Sequence, residues 1–250
     1  MTHARLLVSL LLIAFGLSPA RAANPDALWQ IVHDRCVPDQ QTKGDPAPCA
    51  RVDLAGGTAV LKDLVGDTQF LLLPTARVTG IEDPAILAAS SPNYFAAAWR
   101  ARDLLDQRAG RTLPRDDVGL AINSVYGRTQ NQLHIHIDCL RPDVVAVLHD
   151  KGPSLGTSWV RLPVPLQGRS YLARRLMDAT LAHTNPFTLL ANDVPGARTD
   201  MGKWTLDVAG ITIDGHPEFI LLADQADLLT GDRGSGEALQ DHTCAVKQAG

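Results

Sequence analysis

A chain of 250 residues, 45% apolar and 20% charged, is long enough to bury a large core and too apolar to stay unfolded. Its formal net charge of −4 excludes the broadly basic surface that grips nucleic acid through phosphate contacts. The same composition argues against a coiled coil.

The N-terminus reads as an export signal. His3 and Arg5 make a weakly basic start, Leu6 to Leu17 is almost wholly apolar, and Ala20-Arg21-Ala22 reads as a cleavage site before Ala23. As a helix the apolar run rises about 18 Å, short of a hydrocarbon core of ~30 Å. That favours a cleaved signal peptide, while a helix extended to Ala23 would span the bilayer. Residues 1–22 are therefore read as a signal peptide or N-terminal membrane anchor, and residues 23–250 as the folded unit. Cysteine usage agrees with export. Cys36, Cys49, Cys139 and Cys244 form an even set that allows three pairings. A Cys36–Cys49 bridge would pin a Pro/Asp/Gln-rich loop and leave Cys139 with Cys244, though Cys139 alone also reads as a small buried residue.

After a short amphipathic helix over Asp26–Asp34, strands are predicted at Thr58–Leu64 and Gln69–Leu73, joined by a Val65-Gly66-Asp67-Thr68 hairpin turn. A helix over Pro92–Gln107 follows, capped by Ser91 and stopped by Gly110. Leu120–Ser124 and Leu133–Leu140 are strands around a turn at Tyr126–Thr129. In the second half, Ser158–Val164 reads as a strand and Tyr171–Thr180 and Phe187–Val194 as helices. Trp204–Ala209 and Glu218–Ala223 read as strands. The whole predicts an α+β fold. Its C-terminal half is either an extension or a degenerate copy of the first.

The chemistry concentrates between Gly127 and Val144. Strand side chains alternate faces, so Leu133, Ile135, Ile137 and Cys139 share one side and Gln132, His134, His136 and Asp138 the other. One side suits a core and the other a ligand. Two uses follow. Neutral imidazoles with a carboxylate can hold zinc, and His134-x-His136-x-Asp138-Cys139 is one residue from the H-x-H-x-D-H pattern of zinc hydrolases, which normally lies in a loop. Alternatively, an imidazole held through one nitrogen presents the other nitrogen's lone pair to phosphorus. His33, His149, His183, His216 and His242 lack paired spacing and read as structural or exposed.

His134-Ile-His136-Ile resembles the histidine-triad (HIT) signature of nucleotide hydrolases and transferases. The resemblance implies a HIT-like antiparallel sheet with packed helices, His136 as nucleophile and His134 as its support. It also implies substrate contacts from Gln130 and Asn123. Asp138 stands where the third His belongs, on the substrate-binding side. A longer resemblance, to the CDP-diacylglycerol pyrophosphatase family, runs through Pro46-Ala-Pro-Cys49, Val60-Leu-Lys-Asp-Leu64, Leu120-Ala-Ile-Asn-Ser124, Gly127-Arg-Thr-Gln-Asn131, Arg141-Pro-Asp-Val144, Tyr171-Leu-Ala-Arg-Arg175 and Gln240-Asp-His-Thr-Cys244. All four cysteines fall at family positions. This implies hydrolysis of CDP-diacylglycerol to CMP and phosphatidate without a cofactor or required metal. It places the enzyme at the inner-membrane surface, with its catalytic domain on the periplasmic side. Arg128 is the first cationic candidate for the phosphates, ahead of Arg141, Lys62, Arg174 and Arg175. The competing expectation is a zinc-dependent hydrolase using His134, His136 and Asp138.

Overall fold

The computed structural model describes residues 24–245; the N-terminal segment that reads as a signal peptide or anchor lies outside them. Among the described residues, no helix is long and apolar enough to cross a membrane.

The first elements are α1 (Ala27–Ile31) and α2 (Val37–Lys43), joined by a π-helical turn over Val32–Cys36. Three strands follow, β1 (Arg51–Asp53), β2 (Thr58–Lys62) and β3 (Phe70–Pro74). Then come α3 (Tyr94–Arg100), α4 (Asp103–Ala109), β4 (Val118–Ile122), β5 (Ile135–Cys139) and α5 (Pro142–Lys151). The chain continues through β6 (Val160–Arg161), β7 (Leu172–Leu176), α6 (Pro186–Asp193), β8 (Trp204–Ile213) and β9 (His216–Gln225). The strands form one sheet in the order β1-β2-β3-β5-β4-β8-β9-β7-β6, antiparallel throughout. An α+β antiparallel architecture is what the sequence predicts.

The order has an internal symmetry. From the β4–β8 seam one half runs β4, β5, β3, β2, and the other β8, β9, β7, β6. Both faces of the sheet are covered, which explains why its central strands are buried along their whole length. On one face α3, α4 and α6 close the largest core, with Phe95, Trp99, Leu105 and Phe187 against Leu72, Leu120, Ile135, Ile137 and Leu206. On the other, α5 covers the second half through Val144 and Leu148 against Ile211, Ile220 and Leu222. The N-terminal helical segment covers β2 and β3 through Val32 and Cys36 against Ala59, Leu61, Leu71 and Leu73. Between these two covers, a cavity is left over the His134–His136 end of β5.

Five elements differ from expectation. Helix α2 lies in the Pro/Asp/Gln-rich segment between Cys36 and Cys49 that reads as a loop. Tyr171–Thr180 is not a helix but contains β7. Its Leu, Ala and Arg residues favour helix locally, but pairing with β6 and β9 overrides a propensity of a few tenths of a kcal/mol per residue. The helix over Pro92–Gln107 divides into α3 and α4, and Asn93 rather than Ser91 is its N-cap, its side chain accepting from Ala96 N–H. Strand β1 and helix α5 carry no predicted element. Both disulfides form, Cys36–Cys49 and Cys139–Cys244.

Candidate active site

Pleating on β5 sorts the signature as the alternation requires. Ile135, Ile137 and Cys139 enter the large core, while His134 and His136 face the open side. A cavity of about 610 Å³ lies over them. Its polar end holds Asn123, Gln130, His134, His136 and Glu237. Its other wall is apolar, with Leu28, Ile31, Leu61, Leu64, Val65 and Leu71.

The two imidazoles meet edge to face with ring centroids 5.0 Å apart, and both are almost fully buried. His134 Nδ1 is 2.7 Å from the Gln132 carbonyl oxygen; only an N–H can bond there, so Nδ1 carries the proton. His136 Nδ1 lies 2.6 Å from the Gln69 amide nitrogen Nε2, 3.4 Å from Glu237 Oε2 and 4.0 Å from Asp63 Oδ2. Two carboxylates on that side favour the proton on Nδ1, which donates to Gln69 once the amide's oxygen and nitrogen are exchanged, an assignment the hydrogen-bond network decides. Gln69 Oε1 is otherwise without a partner, so this orientation satisfies it. His136 Nε2 then carries a lone pair, and among the described residues nothing hydrogen-bonds to it. Burial pushes both imidazoles down to about 4. His134 is lowered further by His136; His136 is pulled up by Asp63 and pushed down by His242. Both rings are therefore neutral at physiological pH.

Asp138 faces the same side but lies beneath the site, wholly buried and outside the cavity lining. Its Oδ1 accepts from Thr68 Oγ1 at 3.0 Å and from the Cys139 amide at 2.9 Å, and its Oδ2 accepts from His242 Nδ1 at 2.9 Å. That hydrogen bond raises His242 above the usual imidazole value. Burial pushes the Asp138 carboxyl up against the pull of His242. With both oxygens engaged, this carboxylate does not turn to meet the two imidazoles. Among the described residues no group of three or more metal-ligating side chains converges.

The remaining predicted residues separate into two sets. Asn123 and Gln130 line the cavity. Asn123 donates to Glu237 Oε1 at 2.9 Å and holds that carboxylate beside His136. Gln130 accepts from Leu28 N–H at 3.1 Å and donates to Asn24 O at 3.0 Å, fixing the start of α1 at the cavity edge. Lys62 also lines the cavity, its Nζ donating to the carbonyls of Asp63 and Gly66. Arg128 does not: its guanidinium forms a two-pronged pair with Glu82, including a 2.6 Å contact. Arg141 pairs with Asp143, Arg174 with Asp193, and Arg175 with Glu218, all away from the cavity.

Five residues that the motif reading did not single out belong here: Arg35, Asp63, Gln69, Glu237 and His242. Arg35 also lines the cavity, supplying a second cation. The signal for His242 was present in the cysteines. Asp138 precedes Cys139 and His242 lies two residues before Cys244, so the Cys139–Cys244 bridge brings the pair together.

The profile of the CDP-diacylglycerol pyrophosphatase family matches residues 23–248. A CDP-diacylglycerol pyrophosphatase of Yersinia pestis is 45% identical over 241 residues, covering 96% of this chain and 92% of that protein. The chain belongs to the CDP-diacylglycerol pyrophosphatase family. In this member of the family, the match runs through both halves of the sheet, the His134–His136 strand and all four cysteines.

Proposed function

We propose that this chain hydrolyses CDP-diacylglycerol to CMP and phosphatidate, with His136 as the nucleophile. Family membership supports the reaction and substrate. One observation carries the nucleophile: Nδ1 of His136 is enclosed by Gln69, Glu237 and Asp63, while Nε2 is unpartnered in a ring that lines the cavity.

The Nε2 lone pair forms a bond to the phosphorus of the cytidylyl group. The bond from that phosphorus to the bridging oxygen breaks, and its electron pair leaves on phosphatidate. The ring becomes cationic as the bond forms, and Glu237 and Asp63 beside Nδ1 offset that charge. Water then attacks the phosphorus and gives up a proton to solvent, the P–N bond breaks with its electron pair returning to Nε2, and CMP departs. Phosphatidate leaves as a stable anion, so the step needs no strong general acid from the third position of the motif. Asn123 and Gln130 orient the nucleotide side. Lys62 and Arg35 offset phosphate charge in place of Arg128, which Glu82 already holds.

A HIT-like fold follows from the same reading. The matching strand order on either side of the β4–β8 seam supports a duplicated unit whose second copy has lost its site. There, Leu222 and Ile220 of β9 pack under α5 where a site would need polar groups. The enzyme acts at the inner membrane from its periplasmic side. The export-like N-terminus and two disulfides support that location.

Turnover of purified protein on CDP-diacylglycerol, with CMP and phosphatidate both quantified, tests the reaction. Equal release of the two products, unchanged by a strong chelator, is expected. Full inhibition reversed by zinc would favour a metal-dependent mechanism instead.

A further inference from the structure

Among the described residues, large apolar side chains stand exposed at several places, among them Leu54, Met177, Leu228 and Leu229. Scattered exposure of this kind is ordinary and by itself says nothing. Leu64, 101% exposed, and Val65, 56% exposed, differ in one respect: both also line the cavity above His136. Behind them the apolar wall continues through Leu61 and Leu71 to Ile31. Leu61 pairs across the strands with Leu71 and Leu71 with His136, so apolar side chains lead from the exposed tip towards His136.

The loop that presents this tip, residues 63–69, is held in shape. Lys62 Nζ donates to the carbonyls of Asp63 and Gly66, Asp63 Oδ1 accepts from Val65 N–H, and Arg108 Nε donates to the Asp67 carbonyl. The Asp67 amide donates to the His242 carbonyl at 3.2 Å. Gly66 is required there: its φ is +68°, and a Cβ would sit 2.6 Å from the His242 carbonyl oxygen. A stiff loop that points a leucine and a valine outward is prearranged for an apolar partner, because little ordering entropy remains to be lost on contact.

We infer that this loop enters the bilayer, and that the diacylglycerol half of the substrate slides from the lipid phase along the Leu64–Leu61–Leu71 track to bring its pyrophosphate to His136. The inference rests on the hydrolase reading, which makes the substrate a bilayer lipid. Extracting both acyl chains into water would expose every methylene to solvent at a large free-energy cost. An apolar track avoids that exposure. The partner is therefore the lipid bilayer, not a second protein.

The test uses the full chain. A Leu64→Trp variant is mixed with phosphatidylcholine/phosphatidylglycerol vesicles carrying brominated acyl chains. Its fluorescence should be quenched well beyond the wild-type background, whereas a Leu229→Trp variant should show no added quenching. In parallel, Leu64→Asp should lower kcat/KM on vesicle-borne CDP-diacylglycerol by about tenfold or more beyond its effect on a short-chain, monomeric analogue. Leu229→Asp should leave both rates unchanged. No added quenching in Leu64→Trp, or equal loss on both substrates in Leu64→Asp, would overturn the inference. Absence of wild-type turnover on either substrate would refute the hydrolase reading itself, and the quenching result would still decide whether the loop inserts.

Discussion

Asp138 Oδ2 accepts a hydrogen bond from His242 Nδ1 at 2.9 Å, joining the third position of the His-x-His-x-Asp strand to an imidazole 104 residues later. In a HIT-type signature a histidine would occupy position 138 itself. Here the carboxylate stays buried and the imidazole arrives from the C-terminal segment, anchored by the Cys139–Cys244 bridge and by Gln240, whose Nε2 donates to the His136 carbonyl at 3.3 Å. A buried anion beneath the proposed phosphate site would disfavour an anionic substrate. Paired with His242, it does not.

That pair predicts a pH dependence. The folded value of His242 is raised above its unfolded one, so its contribution is full below about 6.5 and is lost as pH rises through the folded value. Melting temperature should fall across that alkaline window in the wild type, and His242→Ala should flatten the fall. The substitution leaves one oxygen of a buried carboxylate without its partner and should cost roughly 1–3 kcal/mol at neutral pH. Asp138→Asn removes the charge that raises His242 and should move the window to lower pH. Thermal melts from pH 5 to 9 check both.

The two active-site imidazoles predict the opposite sign. Burial holds His134 and His136 at about 4, below the unfolded value, so their contribution to stability is full above about 6.5 and falls as pH drops toward 4. Activity should likewise be flat through neutrality on the nucleophile's account and decline only as His136 becomes protonated. A pH profile of kcat with its acidic limb near 4 is the expected result. A limb near 6.5 that vanishes in His134→Ala would contradict the assignment.

Gln69 supplies the direct contact to His136 Nδ1. Gln69→Leu keeps the volume and removes the acceptor, so the ring loses its preferred tautomer and orientation. We expect kcat to fall about 10- to 1,000-fold with KM little changed, by analogy with the loss of any group that positions a reacting ring. Steady-state kinetics on CDP-diacylglycerol check it. Gln69→Glu, which restores an acceptor, should recover part of the loss.

The Cys139–Cys244 bridge closes a long loop, at a sequence separation of 105. Its loss should cost on the order of 4–5 kcal/mol on the chain-entropy account. Because the bridge also delivers His242, reduction should slow turnover at temperatures where the fold persists. Cys36–Cys49 closes a much shorter loop beside α2 and should matter less to rate. Parallel melts and assays of Cys244→Ser and Cys36→Ser/Cys49→Ser separate the two effects.

The strands around the site were legible because their signals are local. Alternation on β5 sorted two imidazoles from two isoleucines, and the Gly66 turn fixed the β2–β3 hairpin. In the second half, Leu172-Ala-Arg-Arg-Leu176 has helical propensity and becomes a strand only because β6 and β9 flank it. The site divides in the same way. His134 and His136 were readable from one strand. Glu237 enters from a distant turn, with no periodicity or motif to announce it. Arg128 looked available because it sits just before the catalytic strand. Only tertiary structure reveals Glu82 opposite it.

The central claim is that His136 carries the cytidylyl group between the two halves of the reaction. Rapid mixing with substrate radiolabelled in the CMP phosphate, quenching under mildly alkaline denaturing conditions and peptide mapping measures it directly. The account predicts an acid-labile label on the peptide containing His136, formed and lost at rates that match turnover and absent in His136→Ala. Full turnover by His136→Ala, or label carried by another residue, would contradict it.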